Sequence, residues 1–222
     1  MLRILFYPII FISIAVGVAE IGPALKWAVS NIGRYQYILY GMLAYALVTL
    51  IPFIRKNMEF IRTFSHESTH TLVGMLFLRK IHSFEAGEGS GEMSHSGGLR
   101  FGGMFISLSP YCFPVLTWLL FLLRELSAAK SIYIFDIMIG LVTLFYLVCF
   151  YQQTGNHQTD IRRHGLVRSY LFIAAIRILN LGIILEAVRR GLFAALKHLF
   201  TEYWNDICVG FNWVVDTISS FF

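Results

Sequence analysis

The residues best suited to chemistry lie in Phe64-Ser65-His66-Glu67-Ser68-Thr69-His70, an H-E-x-x-H set inside an apolar segment. On a helix, residues i and i+4 share one face about a turn apart, so His66 and His70 are spaced to grip one metal ion. Glu67 then falls beside that ion, where a carboxylate takes a proton from water held by the metal. Two imidazoles with a nearby carboxylate suit Zn²⁺ and leave room for a third protein ligand and the water.

Composition sets the solvent in which that motif must work. The chain has 222 residues, 57% of them hydrophobic and 14% charged, with a mean hydropathy of +0.66. A soluble domain of this length carries far more charge. Helices satisfy their own backbone groups in lipid, so the composition predicts an all-α polytopic membrane protein. In that setting His66, Glu67 and His70 are costly residues that seldom sit idle, which weighs against a chance match with histidines merely hydrogen-bonded in a crevice. A net charge of +5 suits contact with the anionic headgroups of a lipid bilayer. No nucleic-acid partner is expected, because Lys and Arg are scattered over loops and form no stripe. Cys112, Cys149 and Cys208 lie in apolar surroundings, without a C-x-x-C pair or a disulfide framework.

Hydropathy places the motif within about six transmembrane helices. Arg3 followed by Ile4 to Ala19 reads as a retained first membrane helix rather than a cleaved signal, and Glu20 to Arg34 as a polar connection. Tyr35 to Ile54 is long enough to cross, with Arg55, Lys56 and Asn57 marking a membrane face. The motif helix is expected over Met58 to Leu78, which puts His66 and His70 about 12–18 Å along it and the metal inside the bilayer. Three more spans follow: Met104 to Leu123, interrupted by Ser109-Pro110 and Pro114, then Ser131 to Tyr151 and Leu166 to Val188.

Between the motif helix and the fourth span, Ile81 to Gly103 is rich in glycine and carries His82, Glu85, Glu88, Glu92 and His95. Ile81 to Phe84 and Glu92 to His95 can pair as a hairpin whose edge receives an unwound peptide as an added strand; a flexible loop is the equal alternative. From Gly191 to Phe200 a short basic helix suits the headgroup region, and the aromatic stripe from Trp204 to Phe222 suggests an amphipathic segment that is interfacial, docks a partner or, as expected here, packs on the bundle. The expected division is residues 1–190 as the membrane domain, with its core at 58–165, and 191–222 as the C-terminal amphipathic helical segment. Lys and Arg fall evenly on the two sides of these spans, so loop charge assigns no orientation.

A two-histidine site needs another donor, and Asp136, Asp160, His157, His82, His95 and Glu186 are the candidates. Asp136 is buried in the fifth span and must be paired or ligating. If adjacent helices run antiparallel, Asp136 and Arg177 reach similar depth and form an ion pair. Asp160, in the polar break from Gln152 to Asp160, is then the expected third ligand, provided its loop folds back toward the motif.

Four features occur in order: His66-Glu67-Ser68-Thr69-His70, the Gly-rich hairpin-like stretch, Ser107-Leu108-Ser109-Pro110 opening a span, and a later break with Asn156 and Asp160. Together they resemble the site-2 protease family of intramembrane metalloproteases, including its shorter M50B-like bacterial branch. The likeness covers Met58 to Gly165, and the family's usual Leu-Asp-Gly reads Thr159-Asp160-Ile161 here. The resemblance implies a Zn²⁺ enzyme that cuts transmembrane segments of membrane-protein substrates in regulated signalling. It also implies a bacterial inner-membrane location and a regulatory membrane partner. On this reading His66, His70 and Asp160 hold the metal and Glu67 is the base, while Asn156 hydrogen-bonds the developing oxyanion or the substrate backbone. His157 stands behind the ligands or on the surface. The alternative function is a non-catalytic membrane scaffold or assembly subunit with a structural or vestigial metal site, which would have no use for Glu67. A transporter using the polar intramembrane residues is a third reading.

Overall fold

The computed structural model describes residues 2–87, 91–97 and 102–219. Helices dominate because apolar segments of this length find no water in lipid to pair with their backbone groups. In chain order they are α1 (Leu2–Ser30), α2 (Ile32–Val48) and α3 (Pro52–Leu76), followed by strands β1 (Lys80–Ala86) and β2 (Gly91–Ser96). Then come α4 (Gly103–Leu108), α5 (Val115–Leu126), α6 (Ile132–Gln153), α7 (Thr159–Arg163), α8 (Leu166–Arg190) and α9 (Leu192–Ser219). Short 3-10 turns at Ser109–Tyr111 and Ala129–Ser131 precede α5 and α6. The chain divides into two compact units, residues 36–173 and residues 1–35 with 174–222.

Three stretches, Phe6–Ser30, Ala129–Gln153 and Leu166–Arg190, are each long and apolar enough to cross a bilayer. Two helix pairs qualify only as bent units: α2 with α3, at 107°, and Gly103–Tyr111 with Val115–Glu125, at 85°. The described residues therefore supply three to five spans where about six were expected. The cause is local. Pro52 opens α3 and holds Ile51 in extended geometry (φ −70°, ψ 121°), so the chain turns sharply between α2 and α3. Beginning at Pro52 rather than Met58, α3 takes in Arg55 and Lys56 along with Glu59, Arg62 and Glu67, and is too polar to cross alone. Two connections also differ from expectation. The stretch from Glu20 is helical as far as Ser30, and the C-terminal segment is one helix from Leu192 to Ser219.

Within residues 36–173, α2 and α6 cross with their backbones touching. A Cβ on Gly41 would run into the Ile137 carbonyl, and one on Gly140 into the Ile38 carbonyl, so only glycine fits either position. Tyr45, Met58, Phe145, Tyr146, Cys149 and Phe150 close a core between α2, α3 and α6. Helices α5 and α6 form an antiparallel hairpin, and Arg124 Nε donates to Asp136 Oδ1 at 2.7 Å, with Asp136 buried and Arg124 partly so. Asp136 thus has Arg124 as its partner, where Arg177 was expected. The tight turn through Ala129–Ser131 brings the last turn of α5 beside the start of α6. Strands β1 and β2 pair antiparallel, Lys80 opposite Ser96 and Ala86 opposite Gly91, with a bulge between Ile81 and Ser83. This hairpin packs on α3.

Within residues 1–35 and 174–222, Gly17 lets α1 lie against Ile178 of α8. Tyr35 donates its hydroxyl to the Leu185 carbonyl at 2.9 Å, and the Arg189 guanidinium stacks over Trp27. His198 of α9 reaches Glu20 Oε2 at 3.3 Å, while Leu192 and Ala195 bury one face of α9.

Candidate metal centre

Helical periodicity sets the first half of the site. His66 and His70 stand one turn apart on α3, with ring centroids 4.9 Å apart. The second half comes from the polar break after α6, which folds back and ends in α7. Ile161 is fully buried and its carbonyl accepts the Ser169 hydroxyl at 2.9 Å, which anchors α7 with Asp160 in its first turn. One ligand-capable atom each from His66, His70 and Asp160 then lies within 4.8 Å of the others.

Each group is oriented from behind. His70 Nδ1 lies 2.8 Å from the Ile106 carbonyl, which can only accept, so Nδ1 carries a proton and Nε2 is the nitrogen turned toward the site. Nε2 faces Asp160 Oδ2 at 3.3 Å. The buried Tyr111 brings its hydroxyl to 3.4 Å from the same Oδ2, and its ring meets His66 edge-on with centroids 5.1 Å apart. Tyr111 has one signal in the sequence, the preceding Ser109-Pro110, whose 3-10 turn carries it inward.

This arrangement fits a cation. An imidazole nitrogen and a carboxylate oxygen face each other at 3.3 Å, a spacing that either a shared proton or a metal ion between them satisfies. His66 Nδ1 is buried with no hydrogen-bond partner among the described residues, so it is left unsatisfied by the protein alone. Converging imidazole and carboxylate donors are the chemistry of a small divalent metal site. Three rival ligands are committed elsewhere: Asp136 to Arg124, Glu186 to Arg189 and Arg190, and His82 to Ser96 Oγ at 2.5 Å; His157 is exposed, and His95 lies outside the group of three converging donors.

Glu67 is buried on the same helix, and β2 crosses it closely. A Cβ on Gly91 would come 2.6 Å from Glu67 Cγ and 2.9 Å from Oε1, so the strand approaches only because the residue is glycine. Glu67, His70 and Asp160 line a cavity of about 200 Å³ together with Gly91, His95, Ile106, Ser107, Thr159 and Arg163. Burial, then the charges of Arg79 and Arg163, holds the His95 imidazole below its ordinary pKa, so the ring is neutral at physiological pH. Asn156 falls elsewhere: it is exposed, its Oδ1 accepts the Tyr170 hydroxyl at 2.8 Å, and it is not among the cavity-lining residues. His157 is exposed beside Gly155.

A profile of the Peptidase M50B-like family matches residues 39–189, which contain every residue of this centre. The chain belongs to the Peptidase M50B-like family. No curated protein and no solved structure matches the chain. As an M50B-like protein with several helices long and apolar enough to cross a bilayer, it is an integral, multi-pass membrane protein of the all-α class. M50 peptidases are generally zinc-dependent, and in this M50B-like chain His66, His70 and Asp160 form a group able to hold a metal ion.

Proposed function

We propose that the protein is a zinc-dependent intramembrane endopeptidase that hydrolyses peptide bonds in or near transmembrane segments of other membrane proteins. The observation carrying this reading is the convergence of His66, His70 and Asp160 within 4.8 Å, beside a buried glutamate on a cavity wall. Bound by these three residues, Zn²⁺ would supply a Lewis acid and lower the pKa of a water toward about 7.

The chain's own residues divide the remaining work. The Ile106 carbonyl and Tyr111 hydroxyl hold His70 and Asp160 in ligating orientation. Glu67, pinned from one side by Gly91, accepts the proton of the attacking water and returns it to the leaving amine. A substrate helix must unwind first, because its carbonyls are already hydrogen-bonded along the helix. The β1–β2 hairpin is two-stranded among the described residues, so its edges offer backbone groups to an extended segment. The bilayer is the medium of the reaction, and a regulatory membrane partner belongs to the same reading.

Glu67 separates this function from that of a scaffold, since a purely structural site needs no carboxylate at the cavity. The test is Glu67→Gln in the zinc-loaded protein in detergent micelles, with unfolded casein as a probe that needs no unwinding. The expected outcome is abolished cleavage with zinc content unchanged. Cleavage that survives the substitution, or a wild-type protein that cleaves nothing, refutes the peptidase reading.

A further inference from the structure

Hydrolysis puts negative charge on the peptide carbonyl oxygen, and one fixed donor at that position is worth about 10²–10³ in rate. Asn156, the residue expected there, lies outside the cavity wall and is engaged with Tyr170. We propose that His95 is a catalytic residue of this site, donating an imidazole N–H to the developing oxyanion. The inference rests on the peptidase reading above.

Strand periodicity sets the geometry. Gly91 and His95 are two strand periods apart, so they share one face of β2. Gly91 abuts Glu67, and that face therefore looks onto the base and the metal ligands. Ser94 and Ser96 occupy the other face, where they bond to Ser83 and His82 within the hairpin. His95 lines the same cavity as Glu67, His70 and Asp160, and its Nδ1 is buried without a hydrogen-bond partner among the described residues. Such a nitrogen in a fully satisfied structural role would have a partner. Among the other donors on the wall, Arg163 and Thr159 are exposed, where water weakens a donor; Ser107 is half-buried like His95, but of the wall residues His95 alone carries a buried nitrogen without a partner among the described residues.

The experiment uses the full chain, zinc-loaded in detergent micelles, with unfolded casein as substrate probe. His95→Phe keeps the ring and removes the donor; His95→Ala removes the ring without added bulk and guards against a folding defect. Both should lower kcat about 10²-fold, leave KM within about twofold and leave zinc content unchanged. His95→Asn, which restores an N–H, should recover about tenfold of the loss. An alanine-based phosphinic peptide imitates the tetrahedral oxyanion and requires no turnover; it should bind His95→Phe about 10²-fold more weakly. Cleavage by both variants within about threefold of wild type, or undiminished phosphinic-peptide binding, overturns the proposal. The two readings fail separately. Cleavage that needs Glu67 but is indifferent to His95 removes the oxyanion donor alone, whereas cleavage indifferent to Glu67 removes both.

Discussion

A single methyl group added at Gly91 would land on the base. Its position lies 2.6 Å from Glu67 Cγ, 2.9 Å from Glu67 Oε1 and 2.9 Å from Thr63 Cγ2. Carbon atoms rest about 3.5–4.0 Å apart, so the Glu67 side chain must withdraw by about 1 Å. Thr63 yields little, because its hydroxyl is held to the Glu59 carbonyl at 3.1 Å on the same helix. Overpacking of this kind costs about 1–3 kcal/mol, and a reacting group misplaced by about 1 Å loses about 10²-fold in rate. His66, His70 and Asp160 are not among the atoms nearest the added methyl. Gly91→Ala should therefore cut casein cleavage about 10²-fold while zinc content stays at the wild-type level. Gly103→Ala is the control: its Cβ meets nothing within 4 Å, and its rate should stay within about twofold of wild type. The reasoning is refuted if Gly91→Ala cleaves at the wild-type rate, or if it loses zinc together with activity.

Other outcomes follow from the same geometry. Tyr111→Phe keeps the ring against His66 and removes the hydroxyl beside Asp160, so zinc affinity measured by competition titration should fall about 10–100-fold. Asp160→Ala should lose the metal, whereas Asp136→Ala should keep it. The latter strands the largely covered Arg124 and should lower stability by about 3 kcal/mol in thermal unfolding. Gly41→Ala forces α2 away from the Ile137 carbonyl and should destabilise by about 3 kcal/mol, read the same way.

What the sequence carried was local. One helical turn spaces His66 and His70, whereas the polar break made Asp160 only one of six candidates, taken over Asp136 by elimination and by the family resemblance. Asp136 was expected opposite Arg177, and its partner is Arg124. A hydropathy span ending at Leu123 left Arg124 in a loop, where it could not be matched to a helix beginning eight residues later at Ile132. The bend at Pro52 was missed for a related reason, since window averages register how apolar a segment is and not whether it runs straight. Gly91 stood among many glycines, and Tyr111 among many aromatics. Their roles arise from tertiary approach, to Glu67 in one case and to Asp160 in the other, which no period along the chain encodes. Asn156 shows the converse: its order in the chain was readable, its side-chain direction was not.

The metal decides the account most directly. Zinc content and zinc-edge X-ray absorption on the purified, reconstituted protein should give about one ion per chain, held by two imidazoles and oxygen donors. That ion should vanish in His70→Ala and persist in Glu67→Gln. A protein that takes up no zinc, or one that holds it undiminished in His70→Ala, would contradict the claim that this helix, with α7 folded against it, is a metal centre.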